Sequence, residues 1–238
     1  MAIATDGTLC RSALYELFSL AFQYPKEGSA ATLASMGRKA AMAAFDLGWQ
    51  QIGEGLDELS RKLDALGNDG LVEEYVRVFG HTNPKDCPPY EGEYGQSHVF
   101  QKSQVLAELS TLYQAFGVQL SPGFKDRPDH VSVELEFMRL LTLKETYAGV
   151  KGHGEEKVRL CRSAQESFLS RHLSTWVKVF VGRLAGKAPE GSLYGHLARL
   201  LEGFMEREFA AFQLQAAPVS STSPEAPEAK EEDFQCGA

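Results

Sequence analysis

Apolar residues recur along most of the chain at the three- and four-residue spacing of an amphipathic α-helix. In the clearest case, four leucines from Leu56 to Leu66 fall on one helix face, and Gly67 follows as a C-terminal cap. Asp69 then suits the N-cap of the next helix. No alternating strand pattern lies between Asn-Gly or Asp-Gly turns. The pattern predicts helices at 14–22, 29–45, 56–66, 71–79, 105–116, 130–147, 155–171, 173–184 and 193–212.

These helices predict an all-α protein, a single-domain helical bundle that occupies residues 1–215. Residues 216–238 differ in composition, because they are rich in Pro, Ala and Glu, and we expect them to form a disordered acidic tail. The tail has five acidic residues and one lysine, so it holds half of the formal net charge of −8. Two long interruptions of the helical pattern, at 81–97 and 118–128, are candidates for functional loops.

Composition and charge exclude several classes of protein. A hydrophobic content of 43% and a charged content of 24% are typical of a soluble globular chain. The negative charge disfavours nucleic-acid binding, and no apolar run reaches the length of about 18 residues that a membrane span needs. The first eight residues lack the basic start of a secretory signal. The four cysteines form no Cys-x-x-Cys pair, which favours reduced thiols in the cytoplasm.

Catalytic and metal-binding motifs are absent from the sequence. His130 and Glu134 lie four residues apart on one predicted helix face, with Glu136 nearby, but a metal site needs three or four converging ligands. The chain also lacks the Glu-x-x-His and His-Glu-x-x-His motifs, a phosphate-binding loop and a nucleophile elbow. We therefore expect no enzyme activity, no metal and no cofactor. A metal-dependent helical-bundle enzyme that uses these three residues remains the alternative hypothesis.

The first long interruption contains a proline-stiffened segment, which we call the tyrosine loop (87–95). Its sequence is Cys-Pro-Pro-Tyr-Glu-Gly-Glu-Tyr-Gly, with aromatic rings at Tyr90 and Tyr94 and a carboxylate at Glu91 between them. Aromatic faces and carboxylates suit a cationic, partly apolar peptide, because they offer a guanidinium group both a π-surface and bidentate partners. The same residues also suit a loop whose tyrosines pack on the bundle. Composition leaves both interpretations open.

The second interruption ends in the segment Arg-Pro-Asp-His-Val-Ser-Val-Glu-Leu-Glu-Phe-Met at 127–138. Pro128 disfavours helix before it, so Asp129 is expected to be the N-cap and His130 to lie in the first turn. The simple interpretation is a well-capped helix start. A more specific one makes Asp129 and His130 a polar pair at the mouth of the tyrosine loop.

Four segments together resemble the TorD/DmsD/NarJ family of molybdoenzyme maturation chaperones. They are the tyrosine loop, the Leu-Tyr-Gln-Ala-Phe-Gly run at 112–117, the segment at 127–138 and His-Leu-Ser-Thr-Trp at 172–176. The Cys-Pro-Pro-Tyr-Glu and Glu-Leu-Glu-Phe-Met forms are most similar to the branch that serves type II DMSO-reductase-like enzymes. The resemblance extends from about residue 9 to residue 212 and leaves out the tail.

The resemblance implies an all-helical, cytoplasmic and non-enzymatic protein. Its partner would be the molybdopterin-containing catalytic subunit of an oxidoreductase, bound in many relatives through a twin-arginine signal peptide. Such a chaperone assists cofactor insertion and delays export until the client is folded. Some relatives bind guanine nucleotides or form homodimers, and the sequence decides neither point. An unrelated helical adaptor is a further alternative.

The resemblance also suggests which residues bind the client. Pro128, Asp129 and His130 match the signal-peptide-binding segment of the family, and Tyr15 matches an aromatic residue of the same groove. Tyr90, Glu91 and Tyr94 are expected to form one wall, where Glu91 meets an arginine of the twin-arginine motif. Glu134, one turn after His130, completes the set of predicted binding residues: Tyr15, Tyr90, Glu91, Tyr94, Pro128, Asp129, His130 and Glu134.

Overall fold

The computed structural model describes residues 2–80, 86–94, 99–121, 123 and 126–214. Within these ranges there are eight α-helices, a short 3₁₀ turn (Glu91–Glu93), a π-turn (Leu169–Leu173) and no β-strand, which confirms the predicted all-α fold. The predicted tail at 216–238 lies outside the described residues. The helices are α1 (Ala2–Ala21), α2 (Ser29–Asp46), α3 (Gln50–Phe79), α4 (Val99–Ala115), α5 (Val131–Val150), α6 (Glu155–Phe168), α7 (Ser174–Lys187) and α8 (Leu193–Ala211).

Two predicted helix boundaries fall where helical segments follow one another directly. At Gly67 the backbone leaves helical geometry, with φ 68° and ψ −175°, but α3 resumes at once. Glycine tolerates this positive value of φ, so Gly67 ends the first helical piece of α3, as predicted, and a second piece continues to Phe79 beyond the kink. The role of Asp69 as the N-cap of that second piece stays a prediction. The predicted helices at 155–171 and 173–184 are likewise joined, because the π-turn Leu169–Leu173 connects α6 directly to α7.

Aromatic side chains fill the core where the helices cross. α1 packs against α2 and α5, while α8 packs against α3 and α7. None of the described helices is both long enough and apolar enough to cross a membrane. The largest fully buried side chains include Trp176, Tyr15, Tyr194, Phe18, Phe22, Phe168, Phe180 and Phe204.

The core also fixes the tyrosine loop and the start of α5. The fully buried Cys87 places its Sγ 3.9 Å from the carbonyl oxygen of Phe180 on α7, and the Ser19 hydroxyl on α1 donates to the carbonyl of Ser132 at 2.8 Å. Burial raises the pKa of the Cys87 thiol to about 11, so this sulfur is protonated at neutral pH and has no thiolate character. Cys87 therefore anchors the loop.

Candidate client-binding site

The tyrosine loop lies directly against the segment that leads into α5. The Glu91 N–H donates to the Asp129 carbonyl at 2.9 Å, and the Val131 N–H donates to the Pro89 carbonyl at 2.8 Å. These bonds form an isolated antiparallel bridge between Tyr90 and His130. The two segments that sequence analysis singled out therefore meet in space. The role of their residues in client binding stays a prediction.

The helix cap at the start of α5 is His130, so the predictions that Asp129 is the N-cap and that His130 lies in the first turn are wrong. His130 has extended backbone geometry, and its Nδ1 accepts the Ser132 N–H at 3.1 Å. The Asp129 carboxylate turns away from the helix because stronger donors lie elsewhere. It accepts the Gly92 N–H at 3.1 Å and two N–H groups of Arg127 at 2.9 and 2.6 Å.

The capping imidazole is uncharged at neutral pH. Burial lowers the pKa of His130 to about 4, although the nearby carboxylates of Asp126 and Asp129 oppose this shift. A neutral ring keeps the lone pair that Nδ1 needs to accept the Ser132 N–H. The neutral state also avoids placing a cation at the positive end of the helix dipole.

Arg127 joins the two segments through a cluster that we call the guanidinium box, formed by Tyr90, Glu93 and Asp129. The guanidinium carbon lies 4.7 Å from the centroid of the Tyr90 ring, and Nη1 donates to Glu93 at 3.0 Å. Lys102 donates to the other oxygen of Glu93 at 2.6 Å. Partial burial acts to raise the pKa of Glu93, but the hydrogen bonds from Lys102 and Arg127 outweigh it and hold that pKa below its usual value.

Both tyrosines of the loop are half-buried and carry a guanidinium group of the chain itself. The Tyr90 hydroxyl donates to Asp126 at 3.1 Å, and burial raises its pKa to about 12. The Tyr94 hydroxyl donates to the Pro88 carbonyl at 2.8 Å, while Arg183 lies 4.8 Å from the centroid of its ring. The ring faces expected to receive client arginines are thus already in contact with arginines.

Glu91 lies beneath the loop instead of at its rim. Its side chain is 8% exposed, and the Nδ1 of His172 lies 3.0 Å from Oε2 and 3.2 Å from Oε1. His172 belongs to the π-turn, a local geometry that is frequent at functional sites. The pair ties the tyrosine loop to the junction of α6 and α7.

Glu134 is fully buried behind Glu91. Its Oε2 accepts the Trp176 indole N–H at 3.1 Å, and its Oε1 has no hydrogen-bond partner in the described part of the chain. Burial, together with repulsion from Glu91, raises the pKa of Glu134 well above its usual value and so favours its protonated form. His130, Glu134 and Glu136 do not converge on one point, since each has separate partners.

The remaining predicted residues, Pro128 and Tyr15, have structural contacts. The Pro128 carbonyl accepts the Tyr113 hydroxyl at 3.0 Å. Tyr15 is fully buried in a different polar cluster, where its hydroxyl donates to Oε2 of Glu208 at 2.7 Å. Glu208 also accepts two N–H groups of Arg11, at 2.7 and 2.6 Å. The structure therefore groups Tyr15 with α8 and not with the tyrosine loop.

An open groove of about 440 Å³ runs beside the site between α1, residues 118–121 and α5, and we call it the α1–α5 groove. Ser132 and Val133, in the first turn of α5, belong to its lining, so the groove starts next to His130. Its rim has Glu16 and Glu136, both paired with Arg139 at 2.8 and 2.7 Å. Its apolar walls are formed by Leu20, Val118, Leu120, Val133, Phe137 and Leu140.

These features define an all-helical protein, within the described residues, with an apolar groove beside the start of α5. No group of three or more His, Cys, Asp or Glu side chains within the described ranges could hold a metal ion. The chain belongs to the family described as the nitrate reductase delta subunit, whose model matches residues 43–182. The match includes the tyrosine loop, the start of α5 and the π-turn. It confirms the resemblance noted in the sequence.

Relatives of known role are assembly chaperones. The chain is 34% identical over 145 residues to the selenate reductase assembly chaperone protein of Thauera selenatis, covering 60% of this chain and 72% of the relative. It is 33% identical over 147 residues to the chlorate reductase assembly chaperone protein of Ideonella dechloratans, with the same two coverages. It is 25% identical over 155 residues to the chaperone protein TorD of Vibrio cholerae, covering 65% of this chain and 67% of that protein. These names identify chaperones and not catalysts.

A solved structure shares the fold. The crystal structure of a putative redox enzyme maturation protein from Archaeoglobus fulgidus superposes with a TM-score of 0.51 and 23% sequence identity. The likeness covers 82% of this chain and 93% of that one. At this identity the likeness concerns the fold alone.

Proposed function

We propose that this protein is a cytoplasmic assembly chaperone for the catalytic subunit of a molybdopterin-containing oxidoreductase. It binds the subunit before export, keeps it competent for cofactor insertion and delays export until the subunit is folded. The observation that carries the proposal is the α1–α5 groove beside Asp129 and His130, in a chain whose relatives are named assembly chaperones of reductases.

The chemistry of this surface suits a twin-arginine signal peptide. Such a peptide combines two arginines with an apolar run, and recognition of a peptide of this kind needs apolar anchoring pockets with carboxylates at their edge. The α1–α5 groove offers Leu120 and Val133 to the apolar run. Glu93 and Asp129 supply carboxylates near the start of α5, where the arginines would bind.

The groove is tested by changing one wall residue. Leu120 is half-buried and packs against the edge of the core, so Leu120→Lys introduces a charge into the groove without replacing a fully buried residue. Leu160 on α6 is 62% exposed and lies outside the groove lining, so Leu160→Lys is the matched control. We expect Leu120→Lys to bind a synthetic twin-arginine signal peptide of about 30 residues at least roughly tenfold more weakly, and the control to bind it normally. Equal affinities for all three folded proteins would exclude the groove.

The chaperone role has its own test. A strain that lacks this gene should produce the reductase catalytic subunit with a reduced molybdenum content, and the wild-type gene should restore it. The subunit should also co-purify with the chaperone before export. Full molybdenum loading in the deletion strain would contradict the proposed function, whatever the peptide measurements show.

A further inference from the structure

The guanidinium box has the geometry of an arginine-binding site. The two oxygens of Asp129 accept Nε and Nη2 of Arg127 at 2.9 and 2.6 Å, and Glu93 accepts Nη1 at 3.0 Å. The ring of Tyr90 lies against the cation at 4.7 Å. A planar guanidinium makes a bidentate pair, a third hydrogen bond and a stacked contact at the same time, whereas an ammonium group cannot.

Gly92 leaves the space that this arrangement needs. A Cβ atom at Gly92 would lie 3.0 Å from Oδ2 of Asp129 and 3.2 Å from Nη2 of Arg127, and both distances are tighter than ordinary contacts. The Gly92 N–H also donates to the same Asp129 oxygen at 3.1 Å. The box is therefore shaped around a guanidinium by its backbone as well as by its side chains.

We infer that Arg127 is an internal competitor that fills the guanidinium box until an arginine of the client displaces it. The inference rests on the proposed function, since it assigns one arginine of the signal peptide to the box. Asp129 has no exposed side-chain surface and needs a cationic partner, while the Arg127 side chain is 33% exposed and has a route to solvent. A client arginine can make the same contacts to Asp129, Glu93 and Tyr90 that Arg127 makes. A client lysine leaves part of the Asp129, Glu93 and Tyr90 contacts unfilled.

Such competition lowers the apparent affinity for every client, because a client arginine can bind only while Arg127 is out of the box. The apparent affinity is the intrinsic affinity multiplied by the fraction of molecules in that state. Removing the competitor should therefore strengthen binding, although it removes an arginine that contacts the site. If Arg127 only stabilises the loop, its removal should weaken binding or leave it unchanged. The two roles thus predict effects of opposite sign.

The test titrates acetyl-Arg-Arg-amide and acetyl-Lys-Lys-amide into wild type and Arg127→Ala by calorimetry. We expect Arg127→Ala to bind the di-arginine probe at least about tenfold more tightly than wild type, and both proteins to bind the di-lysine probe more weakly. Arg183→Ala, which removes the guanidinium over Tyr94, should give no gain. Unchanged or weaker binding by Arg127→Ala, or no binding to either protein, overturns the inference.

Two further measurements cover poor folding of Arg127→Ala. In wild type, the NMR signal of the Arg127 Nε–H should shift when the di-arginine probe saturates the protein, and an unmoved signal overturns the inference. Gly92→Ala should weaken binding of the same probe, because its Cβ intrudes into the box. Full signal-peptide binding with an unmoved Arg127 signal would leave the proposed function intact. If Arg127→Ala binds the di-arginine probe more tightly but the protein does not bind the signal peptide, the box is an arginine site and the signal peptide is not its ligand.

Discussion

His172 and Glu91 form a buried pair that joins the π-turn to the tyrosine loop, with Nδ1 of the histidine 3.0 Å from Oε2 of the carboxylate. The residues are 81 positions apart, so the contact fixes the loop from a distant part of the chain. Trp176, on the first turn of α7, adds its hydrogen bond to Glu134 directly behind this pair. The loop is thus fixed by contacts to the junction of α6 and α7 and to the start of α5.

Loss of the histidine should destabilise the loop. His172→Ala leaves Glu91 buried without its donor, and we expect a loss of about 2 kcal/mol in the free energy of unfolding, measured in urea. His172→Gln retains an N–H donor and should lose less. The exposed His153 gives the matched control His153→Ala, which should leave stability unchanged. Equal stabilities for wild type and His172→Ala would show that the pair contributes nothing.

Asp129→Asn should destabilise the protein even though asparagine is a good N-cap residue. The substitution removes the charge that pairs with Arg127 at 2.6 Å, and we expect a loss of about 2 kcal/mol in the free energy of unfolding. Glu155 forms an exposed pair with Arg159, so Glu155→Gln should have no measurable effect. If Asp129→Asn retains wild-type stability, the carboxylate is not needed for the fold.

The neutral state of His130 predicts a pH dependence of stability. The folded pKa of about 4 lies below the unfolded value. The stability that neutral His130 contributes is therefore fully present above pH 6.5 and is lost as pH falls towards 4. The loss should reach roughly 3 kcal/mol over that window. His130→Asn retains a neutral capping acceptor, and its unfolding free energy should change less across the window. Parallel curves for the two proteins would contradict the assigned neutral state.

Glu134→Gln should stabilise the protein at neutral pH. The folded pKa of Glu134 is raised, so as pH rises above the unfolded pKa near 4.5 the unfolded chain ionises this group more readily than the folded state and gains stability relative to it. Glutamine removes that advantage and still accepts the Trp176 N–H. We expect a gain of at least about 1 kcal/mol at pH 8 and less at pH 4. Thermal unfolding at both pH values measures it, and an equal or lower stability at pH 8 would be inconsistent with a neutral Glu134.

Tyr15→Phe separates a structural role from a binding role. The hydroxyl donates to Glu208, so its removal should lower the free energy of unfolding by about 1 kcal/mol. If Tyr15 also lines the client groove, as the sequence predicts, Tyr15→Phe should bind the signal peptide more weakly as well as being less stable. Lower stability with unchanged binding would assign Tyr15 to the buried cluster alone.

The helical pattern was enough to predict the fold class, because apolar periodicity reports which face of each helix is buried. Periodicity could not reveal how helices continue through an irregular turn. At Gly67, by contrast, the glycine marks the true end of the first helical piece of α3, because a positive φ favours glycine there. The π-turn inserts an extra residue per turn, so the stripes before and after it look like separate helices.

The site was predicted in part. Proline and cap statistics marked the start of α5, but they favoured Asp129 over His130 as the cap. The statistics contain only preferences for single positions, whereas the Asp129 carboxylate is oriented by the Arg127 guanidinium and by the N–H of Gly92, a residue 37 positions away. His172 gave no signal of its own in the helical pattern, because its role arises only where the π-turn meets the tyrosine loop. Arg127 was likewise visible only as part of the resemblance.

The ion pair between Arg11 and Glu208 has a consequence for synthesis of the chain. The two residues are 197 positions apart, so α1 leaves the ribosome long before its buried partner on α8 exists. Contacts of such long range delay completion of the native core. The bonds that Arg11 and Tyr15 donate to Glu208 can therefore form only after translation has passed Glu208. The bundle can therefore complete its native core only after α8 has been synthesised.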